Sequence, residues 1–230
     1  SCTVLGPSQR VEALPFHLAR VHGCGLGDMC TEMQGRAILA ARLTSLVQGY
    51  SGVTYALLER LILFINNGIV PVIPQEGSVG ASGDLTPLSY VAAALMGERD
   101  VFYGGERRQA LHVLNELGLA PLTLRPKEGL ALMNGTAVMT ALACLAYKRA
   151  DYLAQLASRI TAMMSIALQG NANHFDAQLF AVKPHPGQCA VAAWIRSDLP
   201  DNNVARNENR LQDRYSIRCA PHVIGVLVDS

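Results

Sequence analysis

GSVGASGDLTPLSYVAAALMGE, residues 77–98, decides how the rest of the chain is read. Its opening, Gly77 to Leu85, crowds three glycines and two serines ahead of an apolar run. From Asp84 to Met96 the composition predicts a helix. Pro87 falls in its first turn, where a missing N–H costs little. The glycine-rich part admits several chemistries. Gly77, Gly80 and Gly83 do not follow GxGxxG, and no Gly-Lys-Ser/Thr follows, which argues against a phosphate cradle. A GxSxG nucleophile elbow needs glycine where Asp84 stands. A flexible turn at a helix start, capped by Ser82 or Asp84, needs no further chemistry.

Backbone cyclisation is the remaining reading. The Gly83 nitrogen would attack the Ala81 carbonyl, and two waters would leave, one from the ring and one from the Ser82 side chain. The product is 4-methylideneimidazole-5-one (MIO), which bears an electrophilic exocyclic methylene. Position 83 must then be glycine, because a Cβ obstructs the contorted approach. Position 82 must carry a β-leaving group, and position 81 must be small. On local sequence alone, the plain turn and the cyclised loop both stand.

Outward from this stretch the chain reads as helices. Met33–Gln48 places Ile38, Ala41, Leu43, Leu46 and Val47 near one face. Ser51 would cap a second helix that stops at Asn67-Gly68. Arg107–Leu117 reads as a short solvated helix. Thr136–Gln169 is the longest element and is apolar nearly all round, with charges at Lys148, Arg149, Asp151 and Arg159. Such a helix must be buried on most sides, in a central bundle or against other subunits. A last helix spans Leu211–Asp229, with a break or kink at Pro221. The stretch 170–210 is polar and irregular, and the prolines of 68–74 weaken any strand there. The fold class is all-α.

Half of the 230 residues are hydrophobic, 16% are charged, and the net charge is +1. That composition supports a sizeable core and gives no long-range field for nucleic acid or anionic membrane. The six cysteines are scattered without a CxxC pair. They predict reduced, buried thiols in a cytoplasmic protein rather than a disulfide framework. No unbroken apolar run reaches the ~18 residues of a membrane span. No metal-ligand spacing joins His17, His22 and His112. His174 and His185 are expected to be structural loop residues.

Five segments in order carry a resemblance: HGCGLG (22–27), the 77–98 stretch, KEGLALMNGT (127–136), KPHPGQ (183–188) and QDRYSIRCAPHVIG (212–225). On these the chain resembles the histidine, phenylalanine and tyrosine ammonia-lyases and aminomutases over nearly its whole length. The resemblance implies a long-helix bundle of the ammonia-lyase (fumarase/aspartase-like) type. Residues 1–126 would form a helical domain carrying the MIO loop, and 127–230 the start of the central bundle. Ala81, Ser82 and Gly83 would form MIO as the cofactor, with no metal, and Asp84 would be the supporting acid beside it. Asn134 would hold the carbonyl side of MIO or the substrate carboxylate. Arg218 would fork onto that carboxylate. Tyr215 would donate near MIO or substrate, and Gln212 would complete the polar wall.

Val21-His22 would occupy the specificity dyad that meets the substrate ring. Histidine-acting members carry Ser-His there. Val21 departs from that pattern, and an apolar neighbour beside His22 favours tyrosine, with histidine next. The implied reaction eliminates ammonia from an aromatic amino acid to give a trans-arylacrylate; re-addition at the β-carbon would make a tyrosine 2,3-aminomutase instead. Family members are homotetramers with shared sites. Nothing in this sequence matches the family's mobile-loop tyrosine base, or the glutamate and long helices that follow the last motif. Together with Ser1 in place of a methionine, this creates the expectation of a processed or partial chain. A catalytically incomplete subunit and a purely structural helical domain are the alternative functions.

Overall fold

The computed structural model describes residues 8–79, 83–183, 185–200 and 209–230. Ala81 and Ser82 of the expected MIO triad, and Pro184 of the KPHPGQ motif, lie outside them. The described residues are mainly helical and form two compact units, Ser1–Leu145 and Ala146–Ser230.

The first unit contains α1 (Ser8–Val21), α2 (Glu32–Leu46), α3 (Tyr55–Asn66), α4 (Leu85–Leu95), α5 (Ala110–Glu116), α6 (Glu128–Met133) and the start of α7 (Ala137–Ala167). Two small antiparallel sheets join them. One pairs β1 (Leu26–Met29) with β3 (Pro74–Glu76). The other orders β2 (Val70–Pro71), β4 (Asp100–Tyr103) and β5 (Glu106–Gln109), with Val70 opposite Phe102 and Tyr103 opposite Glu106. The prolines at 71 and 74 therefore sit in very short strands rather than excluding them. Arg107 and Arg108 belong to β5, so the helix expected from 107 begins only at Ala110.

α2 begins with a capping box. The Gln34 N–H donates to Thr31 Oγ1 at 3.3 Å, and the Thr31 N–H donates to Gln34 Oε1 at 2.8 Å. Its buried face is Gly35, Ile38, Leu39, Arg42 and Leu46, a seam one step round from the expected one, and Val47 is exposed. On α3, Leu57, Leu61 and Phe64 recur at helical spacing and are wholly buried. This helix is capped at Thr54, not at Ser51. The Thr54 N–H donates to the buried carboxylate of Glu128 at 2.7 Å, and a second bond from the Arg125 N–H holds the same acid. α4 is buried at every position from Pro87 to Leu95. It packs against α1, α5, α6, β2 and β3, and its alanines permit that close approach.

The division between units falls inside α7 and not at 127, because α6 packs on α1 and α4 in the first unit. The helical run Glu128–Ala167 contains a stretch long and apolar enough, by length and composition alone, to cross a membrane, a test that core helices also pass. The expected absence of an apolar run of that length does not hold, because a helix tolerates scattered polar residues between its apolar ones.

The second unit contains the rest of α7, α8 (Ala177–Ala181), α9 (Pro186–Asp198), α10 (Tyr215–Arg218) and α11 (Ala220–Asp229). Two helices thus lie within the stretch expected to be irregular. Ala162, Phe175, Val191, Ile195 and Ile217 form its core. α9 and α11 cross where Gly187 meets Gly225, and Asp229 accepts the Gly187 N–H at 2.6 Å. The expected helix 211–229 is two helices, and Pro221 stands in the first turn of α11, where it starts a helix instead of kinking one.

Replacing Phe64 with alanine should lower stability by about 3–5 kcal/mol, the cost of removing a large side chain from a close-packed core. Chemical denaturation measures it. A loss below about 1 kcal/mol, the range of ordinary surface changes, would show that α3 does not anchor the first unit.

Candidate active site

Gly83 has φ +99°, and a Cβ built there would lie 2.5 Å from the Gly135 carbonyl oxygen and 2.6 Å from its nitrogen. No L side chain fits this contact or readily adopts this backbone. The next residue, Asp84, has no exposed surface. Its N–H donates to the Gly135 carbonyl at 2.7 Å. Its Oδ1 accepts the Ser78 hydroxyl at 2.5 Å, and its Oδ2 accepts the Val138 and Met139 N–H groups at 2.9 and 3.1 Å.

Asp84 occupies the N-cap position of α4 but makes no side-chain cap to it. It caps α7 instead. Two of the unpaired N–H groups at the start of α7 are satisfied, and the positive end of the helix dipole faces the carboxylate. The sequence reading placed this acid at the start of its own helix. Tertiary packing gives it to another. The 77–85 and 127–136 motifs, separate in sequence, meet at this carboxylate.

Beneath the junction lies Arg42, which sequence reasoning did not select. It is only 3% exposed. Its guanidinium donates to the carbonyls of Ala131 and Asn134, at the C-terminal end of α6. Burial pulls its pKa below the ordinary arginine value, and the negative charge of Asp84 opposes that shift. A Cβ on Gly135 would collide with the guanidinium. Arg42, the Gly135 peptide and Gly83 are therefore stacked in contact. Asn134 has its carbonyl fixed by Arg42 and its side chain exposed. The signal available in sequence was a lone arginine within AILAARLTSL, on the face that alternation with apolar residues marks for burial.

The His22 turn is held separately. α1 ends at Val21, whose side chain is 73% exposed, and His22 is half-buried. Arg99 donates to the Gly23 carbonyl at 2.9 Å, and its guanidinium lies 4.3 Å from the centre of the Tyr90 ring. The Tyr90 hydroxyl accepts the Gly25 N–H at 3.1 Å. Arg99 is a non-glycine residue at φ +59°, a conformation that costs roughly 1 kcal/mol and persists because its contacts demand it. Neither Tyr90 nor Arg99 was singled out from sequence.

In the second unit, Gln212 and Tyr215 are exposed and Arg218 is half-buried. The Arg218 guanidinium lies 5.1 Å from the centre of the Tyr215 ring, so the three-residue spacing does bring these two together. Arg218 Nη1 approaches Cys219 Sγ at 3.6 Å, and its buried Nε has no hydrogen-bond partner among the described residues. Asp213 anchors this segment. It is 5% exposed, its Oδ2 accepts the Asn171 N–H at 2.6 Å, and Arg210 pairs with its Oδ1 at 3.2 Å. The Asp213 N–H donates to His174 Nε2 at 3.1 Å, which ties the imidazole to this segment. His185 takes the N-cap position of α9. Val21, His22, Gly83, Asp84 and Asn134 thus belong to the first unit, and Gln212, Tyr215 and Arg218 to the second.

The sequence model of the family described as aromatic amino acid lyase matches residues 1–230, the whole chain. The chain belongs to the aromatic amino acid lyases. A histidine ammonia-lyase of Geobacillus sp. (strain WCH70) is 46% identical over 217 residues, covering 94% of this chain and 43% of the relative. That of Bacillus subtilis (strain 168) is 45% identical, covering 93% and 42%. Among solved structures, tyrosine aminomutase from Streptomyces globisporus matches with a TM-score of 0.86 at 39% identity, over 95% of this chain and 45% of that one. Histidine ammonia-lyase from Trypanosoma cruzi matches with a TM-score of 0.84 at 38% identity, over 96% and 42%. The expected all-α lyase fold is therefore the observed one, and this lyase chain spans less than half the length of the relatives it matches.

Asp84→Ala would strip the acceptor from two α7 N–H groups and the Ser78 hydroxyl and leave Arg42 without its counter-charge. Its expected cost is about 3–5 kcal/mol, since each buried donor left unpaired costs roughly 1–3 kcal/mol. Urea titration of the variant against wild type reads this directly. Equal midpoints would mean that the carboxylate does not hold α4 to α7.

Proposed function

We propose that this chain is the electrophile-forming and carboxylate-binding part of an ammonia-lyase that acts on histidine. The observation that carries the proposal is the docking of Gly83 and Asp84 on the 134–139 segment. Gly83 stands in a left-handed conformation with its Cβ space filled by Gly135, as the nitrogen of a contracting loop requires. The Asp84 N–H and side chain are both engaged, so the backbone is fixed on the C-terminal side of the reacting pair. These residues fit a 4-methylideneimidazole-5-one formed from Ala81-Ser82-Gly83. That group, once formed, supplies an electrophilic methylene to the substrate amine.

The chain's own residues supply the remaining roles. Arg218 is suited to bind the substrate carboxylate: its Nε is buried without a partner among the described residues, and an incoming carboxylate would satisfy that donor by a charge-assisted bond. Tyr215 lies against Arg218 and would present its hydroxyl beside the same group, with Gln212 next to it. Asn134 would offer its exposed amide from a turn fixed by Arg42. His22 would hydrogen-bond the polar tip of the substrate ring, with Val21 against the ring itself.

The tyrosine preference read from Val21-His22 gives way to histidine. The curated relatives at 45–46% identity are named histidine ammonia-lyases. An imidazole at His22 can pair with a substrate imidazole nitrogen as well as with a phenol hydroxyl, so the dyad does not by itself choose between them. A tyrosine aminomutase is the second reading, favoured by the 39% identity and shared fold with that enzyme from Streptomyces globisporus. Assembly into a homotetramer belongs to the same proposal. Tyr147, Leu153, Ile160 and Met163 of α7 are all exposed, an apolar surface that an assembly would cover.

The test uses the longest natural polypeptide containing this chain. It should have an intact mass short by two waters, and it should release ammonia and a trans-arylacrylate from histidine faster than from tyrosine or phenylalanine. Faster turnover of tyrosine, with a β-amino acid as product, would establish the aminomutase. A folded protein with no mass deficit and no turnover would leave an incomplete or structural subunit. With histidine, His22→Phe should raise KM about tenfold or more, since a buried polar partner worth 1.4 kcal/mol or more is removed. An unchanged KM would remove His22 from the ring pocket.

A further inference from the structure

We propose that Arg42 is a positioning residue for ring closure at 81–83, acting through the Asn134-Gly135 turn that it holds against Gly83. The inference rests on the functional reading above and deepens it.

Ring closure forms one bond, from the Gly83 nitrogen to the Ala81 carbonyl carbon. The carbonyl oxygen leaves as water with the Gly83 and Ser82 amide protons. The Ser82 Cα proton and hydroxyl leave as the second water, and the Cα=Cβ double bond remains. No oxidant is required. The difficulty is geometric, because an amide nitrogen is a poor nucleophile and must be held close to a carbonyl it does not ordinarily face. Placement of this kind is where a protein contributes most to a unimolecular reaction.

Residues 83 and 84 are held by the Gly135 peptide, which Gly83 touches and whose carbonyl accepts the Asp84 N–H. A turn is a weak support unless it is itself fixed. Arg42 fixes it twice over. Its guanidinium takes the carbonyls of Ala131 and Asn134, which a helix end leaves unpaired, and it lies against the far side of Gly135. The negative charge of Asp84 offsets part of what burial costs the guanidinium. The planar fork matters here. Its Nη2 donates to both carbonyls while Nη1 lies against Gly135, two contacts that a single ammonium nitrogen cannot make together. Nothing in the packing of α2 requires a cation at 42. Its neighbours on the buried face are Ile38, Leu39 and Leu46.

The test again uses the whole polypeptide, with Arg42→Met, Arg42→Lys and the core variant Phe64→Ala. For each, the folded soluble fraction is isolated and checked by circular dichroism and sedimentation. The readouts are intact mass and near-UV difference absorbance over time after synthesis; neither requires substrate. Ring closure in Arg42→Met is expected to be about a hundredfold slower, the scale of a misplaced reacting pair. Arg42→Lys should recover part of the rate by restoring the charge opposite Asp84. Phe64→Ala, destabilised but remote from the stack, should mature fully. Full maturation of folded Arg42→Met at the wild-type rate overturns the inference alone. Failure of both Arg42 variants to fold at all also overturns it, as a purely structural arginine would. Incomplete maturation of Phe64→Ala equal to that of Arg42→Met does so too, since lost stability would then explain both. A wild-type protein without the two-water deficit overturns the functional reading, and this inference with it.

Discussion

A carboxylate with no exposed surface must find its compensation inside the protein, and Asp84 finds it at the first turn of α7. Two helix N–H groups, a serine hydroxyl and an arginine one layer below surround a single charge. That arrangement joins two stretches of chain far apart in sequence. It also sets the conformation of the residue before it. Gly83 sits against Gly135 where the Asp84 N–H and carboxylate are both committed to the 135–139 segment. α4 is buried along nearly its full length, so the residues that lead into it are attached to a core helix.

The same device recurs. Glu128 is buried and holds the N–H of Thr54 at the head of α3, and Asp213 is buried and holds the N–H of Asn171 after α7. Each acid bonds a backbone group across the fold, and each lies in or beside a motif expected to serve chemistry. Buried carboxylates of this kind are weak sources of net stability, since desolvation offsets much of the attraction. Their value is directional: a backbone group held by a charge has few alternative positions. For the ring closure proposed at 81–83, that directional control would bear on function more than the stability does.

Much of this was legible in the sequence, and the misses have physical causes. Helices came out well wherever apolar residues recur at helical spacing, as on α3 and α7. β5 was missed because two arginines on a two-faced edge strand carry no period to separate strand from helix. α9 was missed because its polar surroundings hid a buried stripe of Val191, Ala192 and Ile195. At the site, residues that resemble the family's motifs were found by type. Arg42, Tyr90 and Arg99 were not, because their contribution is to hold a backbone turn, and a turn-holder is defined by where its partner lies in space.

The sequence by itself determined that this chain is mainly helical and that Ala81-Ser82-Gly83 has residue types compatible with cyclisation, beside the plain turn that the same residues allow. Those conclusions follow from residue chemistry and periodicity, which are local. Only the tertiary structure decided which helix the Asp84 charge serves, that Arg42 is buried against Gly135, and that Arg99 and Tyr90 hold the turn after His22. Each of these depends on which distant segments meet, and burial changes the energetic meaning of a charge far more than its neighbours in the chain do.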